Sequence, residues 1–229
     1  MTTFAKLVVP VMVLLLMGSM QVSNAAVPNE VQQVAKTGLS RFVSTIPETE
    51  LARIGFATPE EAKAATLGSP YEQYTITPEA LNAYKSGMRL ASLISTTNTW
   101  LFPVMVGGVP RSVLEVTIVN GRWEAAGLGG TFLATRLNEM GTSTAALLSQ
   151  KGVSSSQYTP RFVRIFQALQ DFMVIETATA DYLQPVVANP NLNLMGATLY
   201  TPDQVIPQLK EEVQKSIQQW NEQVKKRTR

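Results

Sequence analysis

The sequence predicts an α+β fold: a single domain with a mostly antiparallel sheet of about five to seven strands, flanking helices and a long C-terminal amphipathic helix. Three observations carry this. From Trp100 to Gly130, β-rich runs alternate with glycine-containing turns, the pattern of a three-stranded meander. Apolar residues recur at helical spacing before the meander, from Val27 to Ile46, and after it, from Thr131 to about Gln150. Finally, Val205, Leu209, Val213, Ile217, Trp220 and Val224 form one continuous helical stripe opposite a face of Gln, Glu and Lys.

In chain order, the first stretch is not fold. Lys6 makes a short basic region, Leu7 to Met17 is apolar apart from Pro10, and Ser23-Asn24-Ala25 ends in a small-x-small pattern. This predicts a secretory signal peptide over residues 1–25, with the folded domain over residues 26–229. The apolar run is shorter than the roughly 20 residues a spanning helix needs. No transmembrane anchor is expected after signal removal, and the product is expected to be exported, periplasmic or secreted.

Pro47 should end the first helix. Glu50 to Phe56 reads as a short helix with Gly55 near its end. Thr58-Pro59-Glu60-Glu61 is a capped helix start, with Thr58 as the cap and Pro59 in the first turn. Tyr71 to Ile76 alternates as a strand, and Thr77-Pro78-Glu79 opens another short helix ending near Gly87. Met88 to Ile94 reads as a strand leading to a polar turn at Ser95–Asn98.

Within the meander, Asn120-Gly121 fixes a two-residue turn in which both residues need positive φ. Val119 then faces Arg122, Ile118 faces Trp123 and Val116 faces Ala125. Leu114, Val116, Ile118 and Trp123 share the core face; Glu115, Thr117, Arg122 and Glu124 share the other. For the preceding turn, a four-residue loop from Gly107 to Pro110 places Leu101 and Met105 on the core face. It leaves Trp100, Phe102, Val104 and Val113 on the opposite one. Those four are either covered by a helix or form an exposed aromatic binding patch.

Gly127 to Gly130 reads as a flexible exit into the next helix, which Gly141 is placed to interrupt. Residues 152–157 are Ser-rich and mark a loop boundary inside the single domain. Arg161–Phe166 and Phe172–Thr177 read as strands, the first also fitting helical spacing. Asp181–Val187 reads as an edge strand because of Pro185. Thr201-Pro202-Asp203-Gln204 starts the last helix, with Pro207 placed to bend it.

The chain has no cysteine and no histidine. Disulfide stapling, Ser-His-Asp and Cys-His catalysis, and His-ligated zinc or copper are closed to it. Carboxylate chemistry at Asp171, Glu176 and Asp181, a Ser/Lys pair (Ser149 with Lys151, or Ser69 with Lys85), and oxygen ligation of calcium by Asn189, Asn191, Asn193 and Asp203 stay open. None of these has the spacing of a dedicated motif. Gly127-Leu128-Gly129-Gly130 precedes a helix but lacks the Gly-Lys-Ser/Thr of a phosphate loop. No metal site and no cofactor are expected.

The net charge of +2 depends on Lys225, Lys226, Arg227 and Arg229 at the end of the chain; the rest is mildly acidic. A nucleic-acid partner is therefore not expected. The basic tail either complements the helix dipole or contacts an anionic envelope surface weakly. The resulting expectation is an exported, non-catalytic protein binding a ligand or protein partner. The alternatives are a hydrolase using carboxylates or a Ser/Lys pair, and an envelope-associated structural protein.

Overall fold

The computed structural model describes residues 26–227; residues 1–25, read from sequence as a signal peptide, and Arg229 of the basic tail lie outside the described residues. The described chain is a single α+β domain built on one sheet. Its elements are α1 (Asn29–Thr45), α2 (Pro59–Lys63), β1 (Thr66–Leu67), β2 (Tyr71–Ile76), α3 (Pro78–Ala83), β3 (Ile94–Val106), β4 (Val109–Val119), β5 (Arg122–Gly129), α4 (Thr131–Ser149), β6 (Tyr158–Ile165), β7 (Gln170–Thr177), β8 (Asp181–Pro185) and α5 (Pro202–Arg227). The sheet order is β5-β4-β3-β2-β6-β7-β8, with the two-residue β1 also paired to β3. That short strand was not expected from sequence. Every pairing is antiparallel except β2 with β6.

The caps read from sequence form. Thr58 and Thr77 accept hydrogen bonds from the amides of Glu61 and Ala80, and each is followed by proline in the first turn. Glu50 to Phe56 is not an α-helix but two 3₁₀ turns, the second closed by Gly55 at φ 101°. A side chain there would need a Cβ 2.0 Å from the Arg111 carbonyl oxygen. Gly141 does not interrupt α4, and residues 154–157 form a single 3₁₀ turn with a Ser154–Gln157 capping box.

The Asn120-Gly121 turn has the expected register, with Val119 opposite Arg122, Ile118 opposite Trp123 and Val116 opposite Ala125. Asn120 and Gly121 both have positive φ, at 51° and 79°. The preceding turn differs from expectation. Its loop is Gly107-Gly108, both at positive φ, so Val106 faces Val109 rather than Arg111. That change of two keeps the parity of the four-residue loop; the bulge between Val104 and Met105 supplies the single-residue shift, and Trp100, Phe102 and Val104 lie opposite Val116, Leu114 and Ser112. The parity of β3 against β4 is therefore inverted relative to the four-residue loop. The expected strand at Met88–Ile94 is also replaced: Leu90–Ser92 is a 3₁₀ turn, and the polar Ser95–Asn98 stretch is the first part of β3.

Both faces of the sheet are covered. On one face α1 and the turns after it pack on Trp100, Phe102, Val104, Leu114, Val116 and Ala125. Farther along the same face, α3 and α5 pack on Ile76, Val163, Ile165, Phe172, Val174 and Leu183. On the other face α4 covers Tyr71, Leu101, Val113, Phe162, Met173 and Ile175. Helix α4 crosses the sheet from the meander to its far edge. The Tyr71 hydroxyl donates to the Leu137 carbonyl, and Thr144 Oγ1 donates to Gln184 Oε1 on β8 at 2.6 Å. This crossing lets the chain leave β5 at one edge and insert β6 beside β2 at the centre.

Candidate functional site

The sheet centre buries the residues expected to form an exposed aromatic patch. Trp100, Phe102 and Val104 retain 4%, 3% and 0% of their surface, beneath α1, and Val113 lies under α4 on the opposite face. The patch reading is corrected on both counts: the four do not share a face, and none is exposed. The one-residue bulge between Val104 and Met105 puts the aromatics on the side that α1 covers. Ile118, assigned to the core by alternation, is instead exposed, whereas Trp123 opposite it packs against the core that α1 covers.

The candidate catalytic groups are distributed as structural ion pairs. Asp171 accepts a bidentate contact from Arg164 on the α4 face, at 2.7 and 2.8 Å. Glu176 and Asp181 are direct register partners across β7 and β8, so the structure does bring two of the three carboxylates together. Each, however, is committed to its own arginine. Arg161 Nε lies 3.1 Å from Glu176, and Arg89 Nη2 lies 2.6 Å from Asp181. Asp181 also accepts from the Leu90 amide and is almost wholly buried, which makes it an anchor for the loop after α3. Neither Ser69 with Lys85 nor Ser149 with Lys151 is joined by a hydrogen bond among the described residues.

The oxygen-rich loop does not converge either. Asn189 Oδ1 accepts from the Asn191 amide, and its Nδ2 donates to Gln170. Asp203 is held instead by the hydroxyls of Tyr84 and Ser86, which keep its carboxyl below the ordinary range. Among the described residues no group of three or more acidic side chains is placed to hold a metal ion.

A polar seam on β2 and β6, between the α1-covered and α5-covered parts of one face, was not singled out from sequence. Tyr74 donates its hydroxyl to Glu72 at 2.5 Å, Thr96 donates to the other oxygen of Glu72, and the Arg161 guanidinium lies 5.2 Å from the centre of the Tyr74 ring. Burial, reinforced by the Glu72 carboxylate, pushes the Tyr74 hydroxyl up to about 12. Alternation in Tyr71–Ile76 places Glu72 and Tyr74 on one face, but only the pairing of β2 with β6 supplies Arg161. At this pKa the phenol is a fixed donor near neutral pH, not a base. A separate cleft of about 210 Å³ is lined by Gln32 and Lys36 of α1, by Leu67, Gly68 and Pro70, and by Phe102.

The most distinctive surface is at the far end of α5. The stripe read from sequence as continuous is divided in two by the fold. Val205, Leu209 and Val213 are buried, whereas Ile217, Trp220 and Val224 are exposed, Trp220 to 65%. Lys210 donates to the carbonyls of Asn82 and Tyr84, and Gln214 reaches Asn82, so α3 holds the proximal half. From Ile217 to Arg227 every residue is exposed. Lys225, Lys226 and Arg227 occupy the last helical turn, where cations complement the helix dipole. Over residues 214–227 four cations accompany one carboxylate, Glu222. No described helix is long and apolar enough to cross a membrane.

No protein-family model matches the chain, and no curated protein or solved structure matches it.

Proposed function

We propose that the chain is an exported, non-catalytic binding protein that engages its partner through the distal half of α5. The observation that supports this is the exposed continuation of a core stripe. Ile217, Trp220 and Val224 keep the helical phase of Val205, Leu209 and Val213, yet each is exposed, Trp220 the most. Scattered exposed apolar residues are ordinary, but a periodic stripe containing a largely exposed tryptophan is a binding face in form. The carboxylates considered for chemistry are paired with arginines, which favours the binding reading over a hydrolase.

The test removes residues 215–229 and compares this shortened chain with the full one in envelope fractionation. Val213 and everything before it stays in place, so the fold is checked by the same thermal melt. The full chain is expected in the envelope fraction and the shortened chain in the soluble one. The same distribution for both, with both folded, overturns the proposal.

A further inference from the structure

We infer that the distal half of α5 docks on an anionic bilayer surface as a peripheral, interfacial helix. This rests on the distal helix being the binding element, and adds what it binds. Three features select that occupant. The stripe Ile217-Trp220-Val224 carries a tryptophan, a residue whose amphipathic ring suits the headgroup boundary. The basic cluster Lys225, Lys226 and Arg227 follows the stripe directly, so apolar burial and attraction to anionic headgroups act at one end of the helix. Beyond Lys215 and Ser216, the rest of the distal surface is Gln214, Gln218, Gln219, Asn221 and Gln223, neutral amides that do not repel anions, with Glu222 as the sole carboxylate among residues 214–227.

Charge also disfavours a second copy as the occupant. Two distal helices side by side in parallel would stack Lys225, Lys226 and Arg227 on themselves. In antiparallel order they would bring that cluster against Lys215. Only three apolar side chains would be buried, so binding is weak and depends on both the stripe and the charges.

The experiment uses the chain from residue 26 to 229 in flotation with two kinds of vesicle. One is phosphatidylcholine alone; the other is equal parts of phosphatidylcholine and phosphatidylglycerol. Binding is expected only to the anionic vesicles and should fall as salt is raised. Trp220→Gln should lower partitioning on the order of tenfold. The triple change Lys225→Gln, Lys226→Gln and Arg227→Gln should lower it on the order of a hundredfold. Glutamine keeps helix propensity, and unchanged thermal melts confirm that the fold is intact.

Equal binding to both vesicles overturns the inference, as does a mass that doubles with concentration and reverts in Trp220→Gln. Binding to neither vesicle while envelope capture still depends on Trp220 overturns the lipid assignment and leaves the distal helix as a protein-binding element. Loss of both dependences removes the functional proposal as well.

Discussion

Gly38 of α1 and Ala125 of β5 pack so closely that a Cβ on Gly38 would lie 2.2 Å from the Ala125 Cβ. This contact sets how near α1 comes to the sheet and hence how completely it covers Trp100 and Phe102. Arg41, one turn on, donates to the Ala125 carbonyl at 2.9 Å and fixes the helix along the strand. Gly38→Ala gains about 1 kcal/mol of helix propensity. That gain is outweighed because the neighbour is a strand Cβ close to backbone, and overpacking costs roughly 1–3 kcal/mol. A net destabilisation of about 1 kcal/mol is expected for alanine and more for valine. Urea denaturation measures both; a more stable alanine variant would contradict the contact.

The two halves of α5 should respond oppositely to truncation. Leu209→Ala leaves a cavity between α5 and the sheet and is expected to cost about 2–5 kcal/mol. Trp220→Ala, at a largely exposed site, should change stability by less than about 0.5 kcal/mol. Chemical denaturation of the pair reads the division of the stripe directly. A large loss for Trp220→Ala would mean that the distal helix packs on the body.

Thr144 and Gln184 form the buried polar link between α4 and the edge strand β8. Gln184→Met alone leaves the Thr144 hydroxyl without its acceptor and should cost about 1–3 kcal/mol. Combining it with Thr144→Val removes both polar groups, so the double variant should recover part of that loss. Ser143, which accepts from Gln184 Nε2, limits the recovery. A double-mutant cycle by thermal or urea unfolding measures the coupling, and strict additivity would show that the two side chains act independently.

Stability should fall at both ends of the pH scale, for separate reasons. Asp203 has its folded pKa lowered by hydrogen bonds from Tyr84 and Ser86. Its contribution is present above the ordinary carboxylate value and is lost as pH falls through the lowered one. Asp203→Asn should therefore flatten the acid limb. Tyr74 is shifted upward, from 10.0 to about 12, by burial and by Glu72. Its contribution is complete below pH 10.0 and disappears as pH rises toward about 12. Tyr74→Phe should reduce that alkaline fall, as read in melts across the pH series. An unchanged alkaline limb in Tyr74→Phe would remove Tyr74 as its source.

Much of the fold was legible because local chemistry dictated it. Thr58 and Thr77 supply a side-chain acceptor where a helix start has unpaired amides, and proline follows at the one turn that tolerates it. Asn120-Gly121 sets its own hairpin register, since both residues accept positive φ. The strand at Met88–Ile94 failed for the converse reason. Its apolar residues Leu90 and Leu93 are core, but they reach it from a 3₁₀ turn whose Leu90 amide is held by the distant Asp181. Nothing near Leu90 in sequence announces that contact.

The candidate site divides along the same line. By itself the sequence determined the α+β class, the meander, the helical phase of α5 and the basic end that follows it, because propensity, alternation and capping act over a few residues. Which stretches of those apolar patterns are covered depends on long-range packing. The Val104–Met105 bulge turned Trp100 and Phe102 toward α1, which buries them. The body reaches α5 through Val213 and leaves Ile217 and Trp220 in solvent. Periodicity gives the direction a side chain faces; burial requires a second surface, and where that surface ends depends on contacts between residues far apart in the chain.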